Sequence, residues 1–234
     1  MSKLQTARAS SLRDRPAYPL LEAARYVRVP PATLRSWVHG RPYHTARGEK
    51  HWPPVIRIAD KLRGLLSFNN LVEAHVLSSL RVDHQTHIRD IRQAIEYAEA
   101  ELGIAHVLLS RELSTNAGEI FLNHLGNLIS LSRSGQLAMK RLLEEHLRRV
   151  EWDTNGLPFR LFPFSGANES VGRRTIAIDP AIGFGRPIVL KRSIATRTVA
   201  ERIDAGESPS AVARDYGLTV REVEEAVLYE RAAA

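Results

Sequence analysis

One spacing occurs twice in this chain and restricts its folding more than any other feature. A small residue, a turn residue four positions on and an apolar residue six beyond that are Ala24, Arg28 and Leu34 near the beginning, and Ala213, Gly217 and Val223 near the end. This is the spacing of a helix-turn-helix: the helices cross at the small residue, the turn takes a positive φ, and the second helix packs back through the apolar residue. Val27, Val29 and Trp37 support the first copy, and Tyr216, Leu218 and Ala226 the second. Two plain helical corners without a ligand would satisfy the same spacing. Arg28 also stands where glycine is cheapest, since a non-glycine residue in the left-handed region costs roughly 1 kcal/mol.

Charge separates the two copies. The net charge is +7, but residues 1–66 hold 13 basic and 4 acidic side chains, residues 67–170 hold 10 and 13, and residues 171–234 hold 10 and 9. The whole excess lies in the first third, as expected of a polyanion-binding head on a different kind of body; a solubilising basic surface is the plainer alternative. In the first copy the second helix offers Thr33, Arg35, Ser36 and His39, followed by Arg41, and the loop after it adds His44, Arg47, Lys50 and His51 beside Tyr43 and Trp52. Such a helix suits the negative potential of a major groove, and such a loop suits a wing along phosphates. In the second copy Thr219 and Glu222 form a capping-box pattern, but Glu222, Glu224, Glu225 and Glu230 outnumber Arg221 and Arg231. An acidic helix meets phosphate repulsion, which favours a protein-binding or structural role. Just before it, residues 173–197 carry Arg173, Arg174, Arg186, Lys191, Arg192 and Arg197 against one acid, Asp179. That arm suits phosphate or an acidic partner equally.

The pattern predicts a mainly α fold with small β elements (α+β). Residues 1–15 read as a basic flexible arm, 16–103 as a winged helix-turn-helix with a dimerisation-type helix, 104–170 as a mixed strand-helix-strand region, and 171–234 as a three-helix domain. Helices are expected at about Leu20 to Val27, Pro31 to Gly40, Asn69 to Leu80, Thr86 to Leu102, Gln136 to Val150, Thr198 to Ala205, Pro209 to Tyr216 and Val220 to Arg231. Residues 41–63 read as a strand pair containing Val55 to Ile58. Glu119 to Leu125 and Leu128 to Leu131 read as strands joined by a Gly126-Asn127 hairpin turn. Further strands are expected at Leu157 to Phe164, Thr175 to Ile178 and Arg186 to Leu190. Ile88, Ile91, Ile95, Ala98 and Leu102 form one narrow apolar seam, which serves either a dimer or packing within the chain.

The absence of cysteine excludes disulfides, thiol catalysis and cysteine-based zinc sites. No run of about 18 apolar residues is present, so no transmembrane helix is expected, and without a signal-peptide pattern a cytoplasmic location is expected. No nucleophile elbow, P-loop, dinucleotide fingerprint or zincin motif occurs. Asp83, His84 and His87 suit an exposed helix start better than a metal site; His75 and His124 suit packed positions; Asp179 and Asp204 lack carboxylate partners at useful spacing. No catalytic residue, metal or cofactor is expected, and the chain is not read as an enzyme.

Two resemblances sharpen these expectations. Tyr18 to Trp37, YPLLEAARYVRVPPATLRSW, resembles the MerR-type winged helix-turn-helix, and the stretch from Ser67 to Gly103 resembles the helices that follow it. The resemblance implies DNA contacts by Thr33, Arg35, Ser36, Arg41, Arg47 and Lys50, with Arg28 and the paired prolines departing from the usual pattern. Ile176 to Ala232, with DPAIGFGRPIV and IDAGESPSAVARDYGLTVREVEEAVLYE, resembles a domain typical of VapB-like antitoxins that pair with PIN-like ribonuclease toxins. Together they imply an antitoxin that inhibits a PIN-like ribonuclease, binds operator DNA, represses the shared operon and forms a homodimer. PIN-like sites are carboxylate clusters, so Arg186, Lys191, Arg192 and Arg197 become candidate toxin- or phosphate-binding residues. The alternatives are a stand-alone MerR-like regulator with a sensor pocket in 104–170, and an assembly adaptor whose helix pairs bind only protein.

Overall fold

The computed structural model describes residues 12–45, 48–80, 87–103, 106–130, 132–164 and 174–232. Most of the expected basic arm, together with Arg47, Asp83, His84 and Arg173, lies outside the described residues. The fold is α+β, with helices dominating and short antiparallel strands between them.

The chain enters through β1 (Tyr18–Pro19) into α1 (Leu20–Val27), which buries Ala23, Ala24, Tyr26 and Val27. Arg28 ends it with φ 56° and ψ 40°, the left-handed conformation the spacing predicts. Its own amide and that of Val29 turn back to the carbonyls of Arg25 and Ala24. The second helix, α2 (Pro31–His39), opens on prolines because the first helical N–H has no partner to lose. It buries Leu34, Trp37 and Val38 and stops at Gly40. There φ is +74°, and an added Cβ would lie 1.9 Å from the Trp52 carbonyl oxygen. The chain then forms a hairpin, β2 (Arg41–Thr45) with β3 (Gly48–Trp52), in register from Arg41 opposite Trp52 to Thr45 opposite Gly48. β4 (Leu65–Leu66) returns to pair with β1.

The strand expected at Val55 to Ile58 does not form. Pro53 and Pro54 have no N–H to donate to a ladder. Instead the amides of Val55 and Ile56 both donate to the Trp37 carbonyl, and Ile56 is fully buried under the end of α2.

α3 (Phe68–Ser79) is the central helix, buried nearly all round. Ser67 and Asn70 cap it reciprocally, and Asn70 also holds Arg57 and Ala59 through their backbone. α4 (Ile88–Leu102) follows, then 3-10 turns at Val107–Leu109 and Arg111–Ser114. The apolar seam of α4 is used inside the chain. Ile91 and Ala98 are buried, while Ile88, Ile95 and Leu102 are half-buried against the same cluster, with α5 (Asn116–Leu128) packed alongside.

α5 replaces the expected hairpin at Glu119 to Leu131. Ala117, Phe121, Leu122 and Leu125 are its buried residues, a helical spacing rather than an alternating one. Gly126 is not a turn residue. An added Cβ there would lie 2.9 Å from the Gln136 side chain, on α6 (Arg133–Leu147), so this glycine permits close helix approach. α6 ends before Val150, which instead begins β5 (Val150–Trp152), paired with β6 (Pro158–Leu161).

One apolar cluster runs from Tyr18 to Ile178. A second joins Ile176, Val189, Val199, Val212, Ala213, Val223, Ala226 and Tyr229. It fills the space between the sheet of β7 (Ile176–Ala177), β8 (Ile188–Val189) and β9 (Ile194–Ala195) and three helices, α7 (Thr196–Asp204), α8 (Pro209–Tyr216) and α9 (Val220–Ala232). Gly217 takes φ +63° between α8 and α9. The Thr219–Glu222 capping box forms as the spacing predicts: the Glu222 carboxylate accepts from the Thr219 amide and the Thr219 hydroxyl from the Glu222 amide.

Candidate nucleic-acid interface and partner surface

Burial of Leu34, Trp37 and Val38 decides which residues α2 shows to solvent. Arg35 and His39 are exposed, one turn apart on a single stripe. Thr33 and Ser36 are half-buried on an adjacent face, and the Ser36 hydroxyl donates to the Thr33 carbonyl at 3.0 Å. That face is one wall of a groove of about 620 Å³, closed by Arg41 and Trp52 of the hairpin and by His87, Ile88 and Arg89 at the start of α4. The structure therefore divides the sequence candidates. Arg35 and His39 form a ridge; Thr33, Ser36 and Arg41 line the groove beside it; Lys50 is exposed on β3. Tyr43 and Trp52 stack at 4.4 Å and stiffen the hairpin.

Among the described residues, Arg35, His39, Arg41 and Lys50 make no ion pair or hydrogen bond through their side chains. Four cationic or ionisable side chains on this face are thus unengaged among the described residues.

The second arm behaves differently. Lys191 approaches Glu222 at 3.4 Å, and Arg197 pairs with Glu201 at 2.8 Å. Arg192 Nε donates to the Gly217 carbonyl at 3.4 Å and so supports the left-handed turn of the second helix pair. Arg174 is engaged by Glu151 and by the Arg148 carbonyl. Of the four candidates in this arm, only Arg186 has no such partner among the described residues. Lys191, Arg192 and Arg197 are exposed but already engaged, because acids from α7 and α9 and a helix-end carbonyl fold back onto them.

The two helix pairs lie against each other. Arg25 meets Glu230 at 3.5 Å, Arg28 Nη2 donates to the Tyr229 carbonyl at 3.4 Å, and Tyr229 Oη donates to the Tyr26 carbonyl at 3.1 Å. Burial raises the Tyr229 phenol well above its ordinary pKa, so it stays protonated and a donor.

The loop between β7 and β8 supplies one sequence candidate, Arg186 at its end. It carries Phe184, 93% exposed and at φ 56°. The signal available was a Gly-Phe-Gly run at 183–185, two residues beyond Asp179-Pro180. Asp179 is buried and accepts from Arg160 at 2.9 Å.

Elsewhere, His75 is buried in the core as expected, with the half-buried His146 beside it at 4.8 Å between ring centroids. His124 stacks on Tyr97 at 4.0 Å. Among the described residues no group of three or more His, Cys, Asp or Glu side chains could hold a metal ion, and no helix is long and apolar enough to cross a membrane. In the middle region a cleft of about 130 Å³ lies between Leu113, Lys140 and Glu144. That is below the roughly 300 Å³ usual for a small-molecule site.

Residues 176–229 match a family described as "Protein of unknown function (DUF433)". Nearly the whole chain is similar to two proteins of Mycobacterium tuberculosis. One, named "Putative antitoxin VapB45", is 28% identical over 92% of this chain and 93% of its own length. The other, "Uncharacterized protein Rv2308", is 25% identical over 95% and 93%. The crystal structure of Rv2018 from the same organism superposes with a TM-score of 0.66 at 24% identity, covering 91% of this chain and 98% of that one, and so shares the fold.

Proposed function

We propose that this protein is an antitoxin that binds and inhibits a PIN-like ribonuclease toxin and represses their shared operon through α2 and the hairpin after it. The observation that carries the antitoxin reading is the similarity across nearly the full chain to a protein named as an antitoxin.

The uncommitted cations support the DNA-binding half. Arg35 and His39 lie where a helix laid in a major groove meets base edges, and an arginine there can pair with guanine O6 and N7. Arg41 and Lys50 flank the ridge at positions suited to phosphates, and Arg47 belongs to the same hairpin sequence. Each phosphate neutralised releases counterions, so affinity falls steeply with salt. The toxin-binding half is assigned to the last 60 or so residues, where, among the described residues of the basic arm, the cations other than Arg186 have internal partners. A carboxylate-rich toxin surface is complementary to the Arg186 guanidinium. A homodimer on a two-fold operator completes the proposal, with an interface other than the α4 seam.

The test is co-expression with the product of the adjacent gene. That product alone should arrest growth and degrade RNA, and this chain should relieve both. Relief with no complex between the two proteins, or no arrest at all, would contradict the antitoxin reading.

A further inference from the structure

The segment from Asp179 to Arg186 is tied down along its backbone yet turns its one large apolar side chain outward. The buried Asp179 carboxylate accepts from Arg160 Nε and Nη2, at 3.1 and 2.9 Å, and from the Ala181 amide at 2.9 Å. The amides of Ile182, Gly185 and Arg186 donate to the carbonyls of Asp179, Ile182 and Gly183. Tyr18 Oη, from the far end of the sequence, donates to the Gly185 carbonyl at 3.0 Å. Gly183, Phe184 and Gly185 all take positive φ, of 57°, 56° and 76°. A phenylalanine in that conformation is strained, and its ring lies almost wholly in water. Two costs at one position, on a loop held rigid around it, mark a preorganised contact rather than a packing accident.

Chemistry beside the ring indicates the partner. Arg186 and Arg15 line the groove of about 530 Å³ that adjoins Phe184, with Leu12, Tyr18 and Pro180. Both arginines are exposed and lack an ion pair among the described residues. The carboxylate of the same groove, Glu22, already accepts from Tyr26 Oη at 2.7 Å. A two-fold contact between copies would bring like guanidinium groups together, whereas an apolar socket rimmed by carboxylates complements ring and cations at once.

We propose that Phe184 anchors the toxin, its ring filling an apolar socket whose acidic rim meets Arg186 and Arg15. The inference rests on the antitoxin reading. The probe is the purified product of the adjacent gene, titrated into the full chain by calorimetry. Phe184→Gly removes the ring and relieves the strained conformation; Phe184→Asn removes it while keeping a residue that tolerates positive φ. Both should weaken the complex about 30-fold or more, the range of a central aromatic anchor, without lowering Tm. Arg186→Glu should weaken it further as salt is reduced. Wild-type affinity in both Phe184 variants would overturn the anchor and leave the antitoxin reading standing. A wild-type chain that does not bind the probe would overturn both. A photo-crosslinker at position 184 should mark the toxin; crosslinks to residues 1–11, or to a second copy when toxin is present, would also overturn the anchor.

Discussion

The phenol of Tyr229 donates to the carbonyl of Tyr26 across 203 positions of sequence, at 3.1 Å. Tyr26 is next to last in α1, so its carbonyl has no partner within the helix. The last helix thus completes the end of the first, and the turn of the first helix pair rests on the C-terminal half of α9.

Tyr229→Phe should cost about 1–2 kcal/mol, because it leaves a carbonyl unpaired while keeping the packing. Chemical denaturation measures it directly. A change below a few tenths of a kcal/mol would show that water replaces the phenol.

Arg28 explains its own departure from glycine. Its guanidinium lies 5.5 Å from the Tyr229 ring centre and donates to the Tyr229 carbonyl, so a side chain is required where the backbone alone would prefer none. Arg28→Gly and Arg28→Ala remove the same contacts, but only glycine relieves the left-handed backbone. The glycine variant should be the more stable by about 1 kcal/mol. Equal stabilities would mean that the turn is not left-handed in solution.

Gly118 sets two effects against each other. Helix propensity predicts that Gly118→Ala stabilises α5 by about 1 kcal/mol. An added Cβ would, however, lie 2.0 Å from the Leu113 carbonyl oxygen, a backbone atom without freedom to move alone. Overpacking should win, with a net loss of about 1–3 kcal/mol. A rise in Tm would contradict the packing of the 111–114 turn on α5.

Two core histidines make stability depend on pH. His75 Nε2 donates to the His146 carbonyl at 3.1 Å, and His146 Nδ1 donates to Leu142 at 2.9 Å, both as neutral rings. Phe164 packs on the pair, and Arg149, 4.0 Å over the Phe164 ring, adds a like charge. Burial, more than that charge, lowers His75 well below its ordinary pKa and His146 from 6.5 to about 4. The unfolded chain binds these protons at higher pH than the folded one, so stability is complete above about 6.5 and falls as pH drops toward 4. For His146 alone the loss by pH 5 is about 2 kcal/mol. Denaturation at pH 7 and pH 5 should show it, with His146→Leu reducing the difference. An unchanged difference in that variant would place the titration elsewhere.

What the sequence disclosed was what short-range chemistry writes into it. Pro31, Arg28, Gly217 and the Thr219–Glu222 box sit at helix ends, and α1 and α8 fall at the residues expected. Gly126-Asn127 misled because a glycine also serves a close helix contact, and only Gln136, from the next helix, shows which applies. The period of Phe121, Leu122 and Leu125 carried the correct signal. In the candidate site, the basic character of α2 was legible because no acid from Leu34 to Gly48 offsets it. The pairing of Lys191 with Glu222, 31 positions away, was not, since it depends on how α9 folds back. Phe184 was only partly legible: its flanking glycines mark a turn, but nothing local distinguishes an exposed phenylalanine from a buried one.

On the proposed function, polyanion binding belongs to the ridge on α2 and the hairpin, not to the second basic arm. The most direct measurement is the salt dependence of binding to a duplex from upstream of the chain's own gene, against an unrelated duplex. Wild type should prefer its own sequence. Arg35→Ala should lose about 1–3 kcal/mol on that duplex alone. Lys50→Ala should weaken both duplexes alike and reduce the log–log salt slope by about 1. Arg197→Ala should change neither. Binding that survives Arg35→Ala and Lys50→Ala but is lost with Arg197→Ala would contradict the account.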